Sequence, residues 1–318
     1  MSRRLIIGTD EAGYGPNLGP LIVTATAWEC DAATEPAELW EKLSDVVSNQ
    51  PVRDGKRLYI ADSKAVYSSG DSLEDLEVPV LAFLRLLNLS PESLDGLGNQ
   101  LAGSSFLSHY LAEPWNEQPG LALPLASSSD HITEWTDQLR QATEEQGIQL
   151  RGIRSGIIFP AEFNRRVALT DSKGSVLSSQ TLTLVRSFRD SFSDGPCFVV
   201  CDKHGGRNRY DELIGDHFDD QFVFRLEESR ERSRYRMGDM EFCFRTRAEE
   251  LMPVALASMV AKYLRETFMM QFNRWWEQHI PGLRHTQGYP VDAKRFREDI
   301  SAKVTELGLA EASYWRSR

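Results

Sequence analysis

The sequence predicts an α/β fold built on a mixed sheet, and three observations predict it. Apolar runs at 4–9 (RLIIGT) and 21–28 (LIVTATAW) are separated only by the glycine- and proline-rich stretch 12–20, so they read as a hairpin. Residues 197–201 (CFVVC) are continuously apolar, as expected of a strand covered on both faces. Strands come first and strand–helix alternation follows, which is the order of a mixed sheet with packed helices.

The elements follow in chain order. The first strand ends at Asp10-Glu11, and the second runs to Trp28. Residues 38–48 read as a helix and 57–60 as a short strand leading into Asp62-Ser63-Lys64. From about 72 to 147 the character changes. Helical patterns at 72–89, 104–112 and 129–146, separated by Gly/Pro-bearing loops, read as a helical insertion. The core resumes with a strand at 148–159, a helix at 176–192 and the 197–201 strand, which ends at Asp202. A helix near 209–217, a strand at 221–226 and a hairpin of 232–237 with 240–245 about Gly238-Asp239 come next. Pro253 opens a helix to about 278, with Val254, Ala257, Ala261, Leu264 and Phe268 as its buried stripe. A last helix covers 292–306, so 253–318 forms a C-terminal helical region of one domain, 1–318.

Composition bounds the function. The 318 residues carry 36 Lys+Arg against 47 Asp+Glu, a net charge of −11 that counts against a generic nucleic-acid coat. The charge is uneven: 1–224 hold 19 basic and 33 acidic residues, 225–318 hold 17 and 14, so a phosphate-facing surface fits the last third. No apolar run approaches the ~18 residues of a membrane span. The start, MSRRLIIGTDE, meets acid within ten residues and is not read as a signal peptide. Cys30, Cys197, Cys201 and Cys243 form no CxxC pair and read as buried free thiols, which points to a cytoplasmic location.

The chemistry gathers at strand ends. Asp10 and Glu11 sit where a buried strand meets a glycine loop, and Asp202 ends another buried strand, the place where ligands and catalytic groups collect in such sheets. A few carboxylates with water and substrate phosphate suit Mg²⁺ or Mn²⁺. Gly13, Gly15 and Gly19 permit close approach of backbone to a phosphate or sugar, or serve a tight turn. Ser258, Lys262 and Glu266 share one helix face, and Lys262–Glu266 reads most simply as a surface ion pair. Arg230, Arg232, Arg234 and Arg236 alternate along a strand, facing either phosphates or the counter-charges Glu227, Glu228 and Glu231. Trp275, Trp276 and Trp315 read as packing residues before base-stacking ones.

In order, the chain shows Asp10-Glu11-Ala12-Gly13-Tyr14-Gly15-Pro16, Gly19-Pro20, Asp62-Ser63-Lys64, a strand-end Asp202, Ala257-Ser258-Met259-Val260-Ala261-Lys262 with Arg265-Glu266, and Gly288-Tyr289-Pro290. This series resembles the type 2 ribonuclease H family, ribonuclease HII, over 1–66 and about 150–300. The resemblance implies a ribonuclease H-like mixed five-stranded sheet with helices on both faces and the Asp10 and Asp202 strands side by side. It implies a metal-dependent endonuclease that cleaves the RNA strand of RNA–DNA hybrids by a two-metal displacement. Products would carry 5′-phosphate and 3′-hydroxyl ends. Asp10, Glu11, Asp202 and Glu266 would be the catalytic metal ligands, with Glu266 where the family usually has Asp. Gly13, Tyr14, Gly15, Lys64 and Tyr289 would bind substrate. Tyr14 replaces an arginine of the family's loop, Thr286 takes the place of a histidine, with His285 one residue out of register, and Lys203 follows Asp202 where the family has glycine. A second Asp-Ser-Lys, Asp171–Lys173, has no place in the pattern and reads as a helix-start turn. The expected partner is an RNA–DNA hybrid or ribonucleotide-containing duplex, bound by a monomer with no membrane. The alternatives are a nuclease-silent nucleic-acid binder of the same fold and an actin- or sugar-kinase-like phosphotransferase.

Overall fold

The computed structural model describes residues 2–317 except 53–54, 69–70, 117, 193–194, 206 and 219–220. Nine strands are present among them: β1 (Arg3–Ala12), β2 (Leu21–Asp31), β3 (Val47–Ser48), β4 (Leu58–Tyr59), β5 (Gln149–Ile158), β6 (Cys197–Asp202), β7 (Phe224–Glu228), β8 (Arg232–Met237) and β9 (Met240–Arg245). Seven of them form one mixed sheet in the order β5-β2-β1-β6-β9-β8-β7, where the resemblance implied five. The two extra strands are β8 and β7, which extend the sheet beyond β9, the partner of β6. The expected strand at 57–60 lies outside this sheet, since β4 pairs only with β3. The expected helix at 38–48 stops at Lys42, and the β-branched Val46-Val47 leads into β3 instead.

The middle of the sheet follows from alternation along β1. Ile6 faces a core shared with Leu256, Met259 and Val260 of the helix Met252–His279. Leu5 and Ile7 face the opposite core, shared with Val176, Leu182 and Val185 of the helix Lys173–Ser191. Both faces are therefore covered, and fully apolar strands result. Gly8 marks where the long helix presses closest, because a Cβ there would collide with the backbone of Pro253 and Val254. Thr26 of β2 fixes the same helix end by donating to the Pro253 carbonyl at 2.7 Å.

Among the described residues the 72–147 region holds four helices, Glu74–Leu86, Leu94–Ala102, Phe106–Tyr110 and Ser129–Glu145. The second lies outside the sequence expectation because Gly96 and Gly98 dilute its helical pattern. Phe83, Leu97, Phe106 and Leu139 of these helices pack in the same core as Ile6, Trp28 and Leu256. A further helix, Pro160–Thr170, is also additional to the expectation, although Pro160 at its first turn is a start signal.

On β8 the alternating arginines meet carboxylates rather than open space. Arg232 pairs with Glu227 at 2.8 Å, Arg234 with Glu241 at 2.5 Å and Arg236 with Glu241 at 3.9 Å. β8 is also an inner strand, with β7 outside it. Trp276 is buried with Phe272 and Phe296, and all four cysteines are buried free thiols. Among the described residues no helix is long and apolar enough to cross a membrane.

Candidate active site

The parallel pairing of β1 with β6 decides the site. Thr9 stands opposite Cys201 in the last pair between these strands, so Asp10 and Asp202 lie side by side just beyond it, Asp10 still paired with Thr24 of β2 and Asp202 with Arg245 of β9. Burial pushes the Asp10 and Glu11 carboxyls well above the usual carboxylate range, and Asp202 adds repulsion to both. Asp202 is raised as well, chiefly by burial, against backbone N–H groups of Ala248 and Lys203 that favour its charge. One carboxylate oxygen of Asp202, Oδ1, is buried without a hydrogen-bond partner.

Two sequence motifs meet under this cluster. The Ser258 hydroxyl of the long helix lies beside Asp10 and favours its charged form. The same hydroxyl shares a hydrogen bond with Ser63 Oγ at 3.0 Å and accepts from the Ser63 backbone N–H at 3.3 Å. Asp62 caps the short helix Ser63–Val66, accepting from the Lys64 N–H at 3.2 Å. Its charge reaches Asp10 and Asp202, while Lys64 offsets the negative charge at Glu11 and Asp202. Asp62 and Glu249 thus belong to the same acidic neighbourhood, since Glu249 is raised by burial and then by Asp202 and Asp62. The sequence reading assigned neither. Asp62 carried a signal in its motif, and Glu249 carried none.

Glu266 sits elsewhere in this arrangement. It lies eight residues beyond Ser258, about 12 Å along a helix that rises 1.5 Å per residue. Its carboxylate accepts from Lys262 Nζ at 2.6 Å, and the ammonium stands 5.4 Å from the centre of the Tyr67 ring. The pair is buried, with the side chains 16% and 4% exposed, so it is not the surface pair expected from spacing. Among the described residues no three Asp, Glu, His or Cys side chains already stand close enough to enclose a cation.

The glycine loop is braced from below by two buried arginines. Arg265 Nη1 donates to the Pro20 carbonyl at 2.9 Å, and its Nη2 donates to the carbonyls of Leu18 at 3.2 Å and Gln287 at 3.0 Å. Arg316 donates to the carbonyls of Gly13, at 2.5 Å, and Pro16. Gly13 has φ of +88°, and a Cβ there would meet the Pro20 carbonyl oxygen at 2.5 Å, so both its conformation and its contact require glycine. Gly15 is exposed, and a Cβ placed on it would meet nothing within 4 Å, so its backbone is open to approach. Asn17 N–H donates to the Gly288 carbonyl at 2.8 Å, which seats the next residue, Tyr289, beside the loop and 52% exposed. Thr286 is buried and bonded to Asp292, whereas His285 pairs outward with Glu277 at 3.0 Å. Near Asp202 a groove opens between Lys203, Asn208, Arg230 and Arg247.

No protein-family model matches the chain, and no curated protein matches it in sequence. Solved structures do match in shape. The ribonuclease H2 from Pyrococcus horikoshii OT3 aligns over 98% of this chain and 92% of its own at 14% identity, with a TM-score of 0.50. The RNase HII of the Archaeoglobus fulgidus PCNA complex aligns over 99% and 94% at 13% identity and TM-score 0.43. Bst-RNase HIII in complex with Mn²⁺ aligns over 98% and 66% at 14% and 0.42. The chain has a ribonuclease H-like fold, with a seven-stranded sheet.

Proposed function

We propose that this chain is a metal-dependent endonuclease of ribonuclease HII type, cutting the RNA strand of RNA–DNA hybrids. The observation that carries the reading is the acidic cluster, only partly compensated by Lys64 and Ser258, where the pairing of β1 with β6 ends. Three carboxylates raised chiefly by burial, with repulsion from Asp202 added at Asp10 and Glu11 and from Asp62 at Asp202, and one of them with an orphaned oxygen, are the donor set a hard divalent cation satisfies. Asp10, Glu11 and Asp202 would hold Mg²⁺ or Mn²⁺; Glu266, expected as the fourth ligand, is held by Lys262 instead, and Asp62 or Glu249 in the same acidic neighbourhood would take that place. Such ions, when bound, supply Lewis acidity toward water and phosphate.

The remaining roles fall to the chain itself. Ser258 and Ser63 hold Asp10 and the Asp62–Lys64 turn in one register, so the acidic cluster and Lys64 are positioned together. Lys64 offers a cation at the carboxylates for the substrate phosphate. The open backbone at Gly15, held in place by the close-packed turn at Gly13, offers the approach a ribose needs, and the exposed Tyr289 ring offers a face for a sugar. Cleavage would leave 5′-phosphate and 3′-hydroxyl ends.

The test is incubation with a labelled hybrid, a duplex carrying a single ribonucleotide and an all-DNA duplex, in Mg²⁺ and separately in Mn²⁺. Cutting of either ribonucleotide-containing duplex with the all-DNA one intact supports the reading. Binding without cutting in both metals would instead establish a nuclease-silent protein.

A further inference from the structure

Tyr14 occupies a slot beside Gly205, where a Cβ would crowd its hydroxyl. Its hydroxyl would lie 3.1 Å from a Cβ on Gly205 and 3.6 Å from one on Gly174, so the ring is held between the loop after β6 and the start of the helix Lys173–Ser191. Across the face of that ring stands Lys173, its Nζ 4.7 Å from the ring centre. Arg207, in the loop after β6, acts electrostatically on the same phenol, as does Glu11. A tyrosine next to the carboxylate cluster therefore carries one cation on its face and has a second within reach.

Most arginines around this part of the molecule are neutralised. Glu162 takes Arg165 and Arg166, Asp211 takes Arg225, and the arginines of β8 have Glu227 and Glu241. Neither Lys173 nor Arg207 has an ion-pair partner among the described residues, and each is only partly exposed. Two half-buried cations left without counter-ions, beside a cluster of acids that they do not pair with, call for an anion from outside the chain.

We propose that Lys173, oriented by its stacking on Tyr14, and Arg207 form a phosphodiester-binding subsite flanking Glu11. The ligand is the backbone of the nucleic-acid strand that enters the carboxylate site, so the proposal rests on the nucleic-acid reading above. Lys173 acts as a point charge and Arg207 as a planar donor, and together they neutralise phosphate beside Tyr14 of the glycine loop. Tyr14 is a positioning residue here, since its ring sets where the ammonium stands.

The experiment measures binding of a labelled RNA–DNA hybrid by the Asp10→Asn protein in Mg²⁺ over a series of salt concentrations, with Lys173→Ala, Lys173→Arg and Arg207→Ala added singly. Lys173→Ala and Arg207→Ala should each weaken binding by about tenfold and flatten the slope of log K against log salt by about 0.7–0.9. Lys173→Arg should keep the parent slope, which a merely structural lysine would not require. Arg140→Ala, removing an arginine already paired with Asp137 at 2.8 Å on another helix, should leave the slope unchanged. An unchanged slope and affinity in Lys173→Ala, with the parent binding normally, overturns this proposal alone. A parent that binds no duplex overturns it together with the nucleic-acid reading.

Discussion

Two buried carboxylate groups on this scaffold handle charge in opposite ways. Glu266 is matched: Lys262 donates to it at 2.6 Å, and the Tyr67 face covers the ammonium. Asp10, Glu11 and Asp202 are unmatched: burial raises all three, Asp202 repels Asp10 and Glu11 and Asp62 repels Asp202, and Lys64 and Ser258 offset only part of the penalty. A matched pair has no need of a ligand, whereas an unmatched cluster is stable only when protons or cations complete it. The contrast separates a carboxylate the fold has already paired from a cluster with charge still to be met.

The comparison breaks most sharply at Asp10. Asp10→Asn should lower hybrid cleavage by at least ~10²–10³-fold, the scale of losing one preorganised electrostatic stabiliser. In chelator the same variant should melt no lower than wild type, because it removes a repelling charge. Cleavage assays paired with thermal melts read both halves at once.

Glu266→Gln sharpens the other side. Removing one partner strands Lys262 in a buried position and should cost about 3–5 kcal/mol in denaturant unfolding. A stability loss of that size with cleavage retained would make the pair structural and leave three carboxylates, with Asp62 or Glu249 nearby, to hold the ions. A loss of cleavage at unchanged stability would place Glu266 among the ligands.

Protons and cations should substitute for each other at the unmatched cluster. Asp10 and Glu11 titrate higher in the folded chain than in the unfolded one, so the folded state keeps protons the unfolded state has released. Metal-free stability should therefore fall as pH rises above the ordinary carboxylate range. Mn²⁺ at a hundred times its dissociation constant should restore about 2.7 kcal/mol, seen as a rise in Tm that is largest at the alkaline end and reduced in Asp10→Asn. The smallest effect is expected at Tyr289. Its ring is exposed and outside both charge groups, so Tyr289→Ala should cost about 1–3 kcal/mol of discrimination for ribonucleotide over all-DNA duplex.

The site was legible where the chain's own pattern dictates position. An apolar run that meets an acidic residue marks Asp10, Glu11 and Asp202 in the sequence; Asp202 closes β6 as expected, whereas β1 runs on through Asp10 and Glu11 to Ala12 because its pairing with β2 continues there. The helix stripe likewise marks Met252–His279 to within a residue at each end. What stayed hidden depends on chain-remote contact. Arg316 braces Gly13 from three hundred residues away, and no local pattern announces a buried arginine in a C-terminal tail. Lys173 reads as a helix-start turn because only the fold lays it over Tyr14. The five-strand expectation came from resemblance, while the chain's own strand signals include the meander that makes seven.

The most direct measurement is the rate of RNA-strand cleavage in a labelled RNA–DNA hybrid by wild type and Asp10→Asn, side by side in Mg²⁺ and in Mn²⁺, with the product ends identified. The account predicts cutting by wild type in at least one of the two metals, 5′-phosphate and 3′-hydroxyl ends, no cutting in chelator and none by Asp10→Asn. Equal rates in the two proteins, or cutting that persists in chelator, would contradict it.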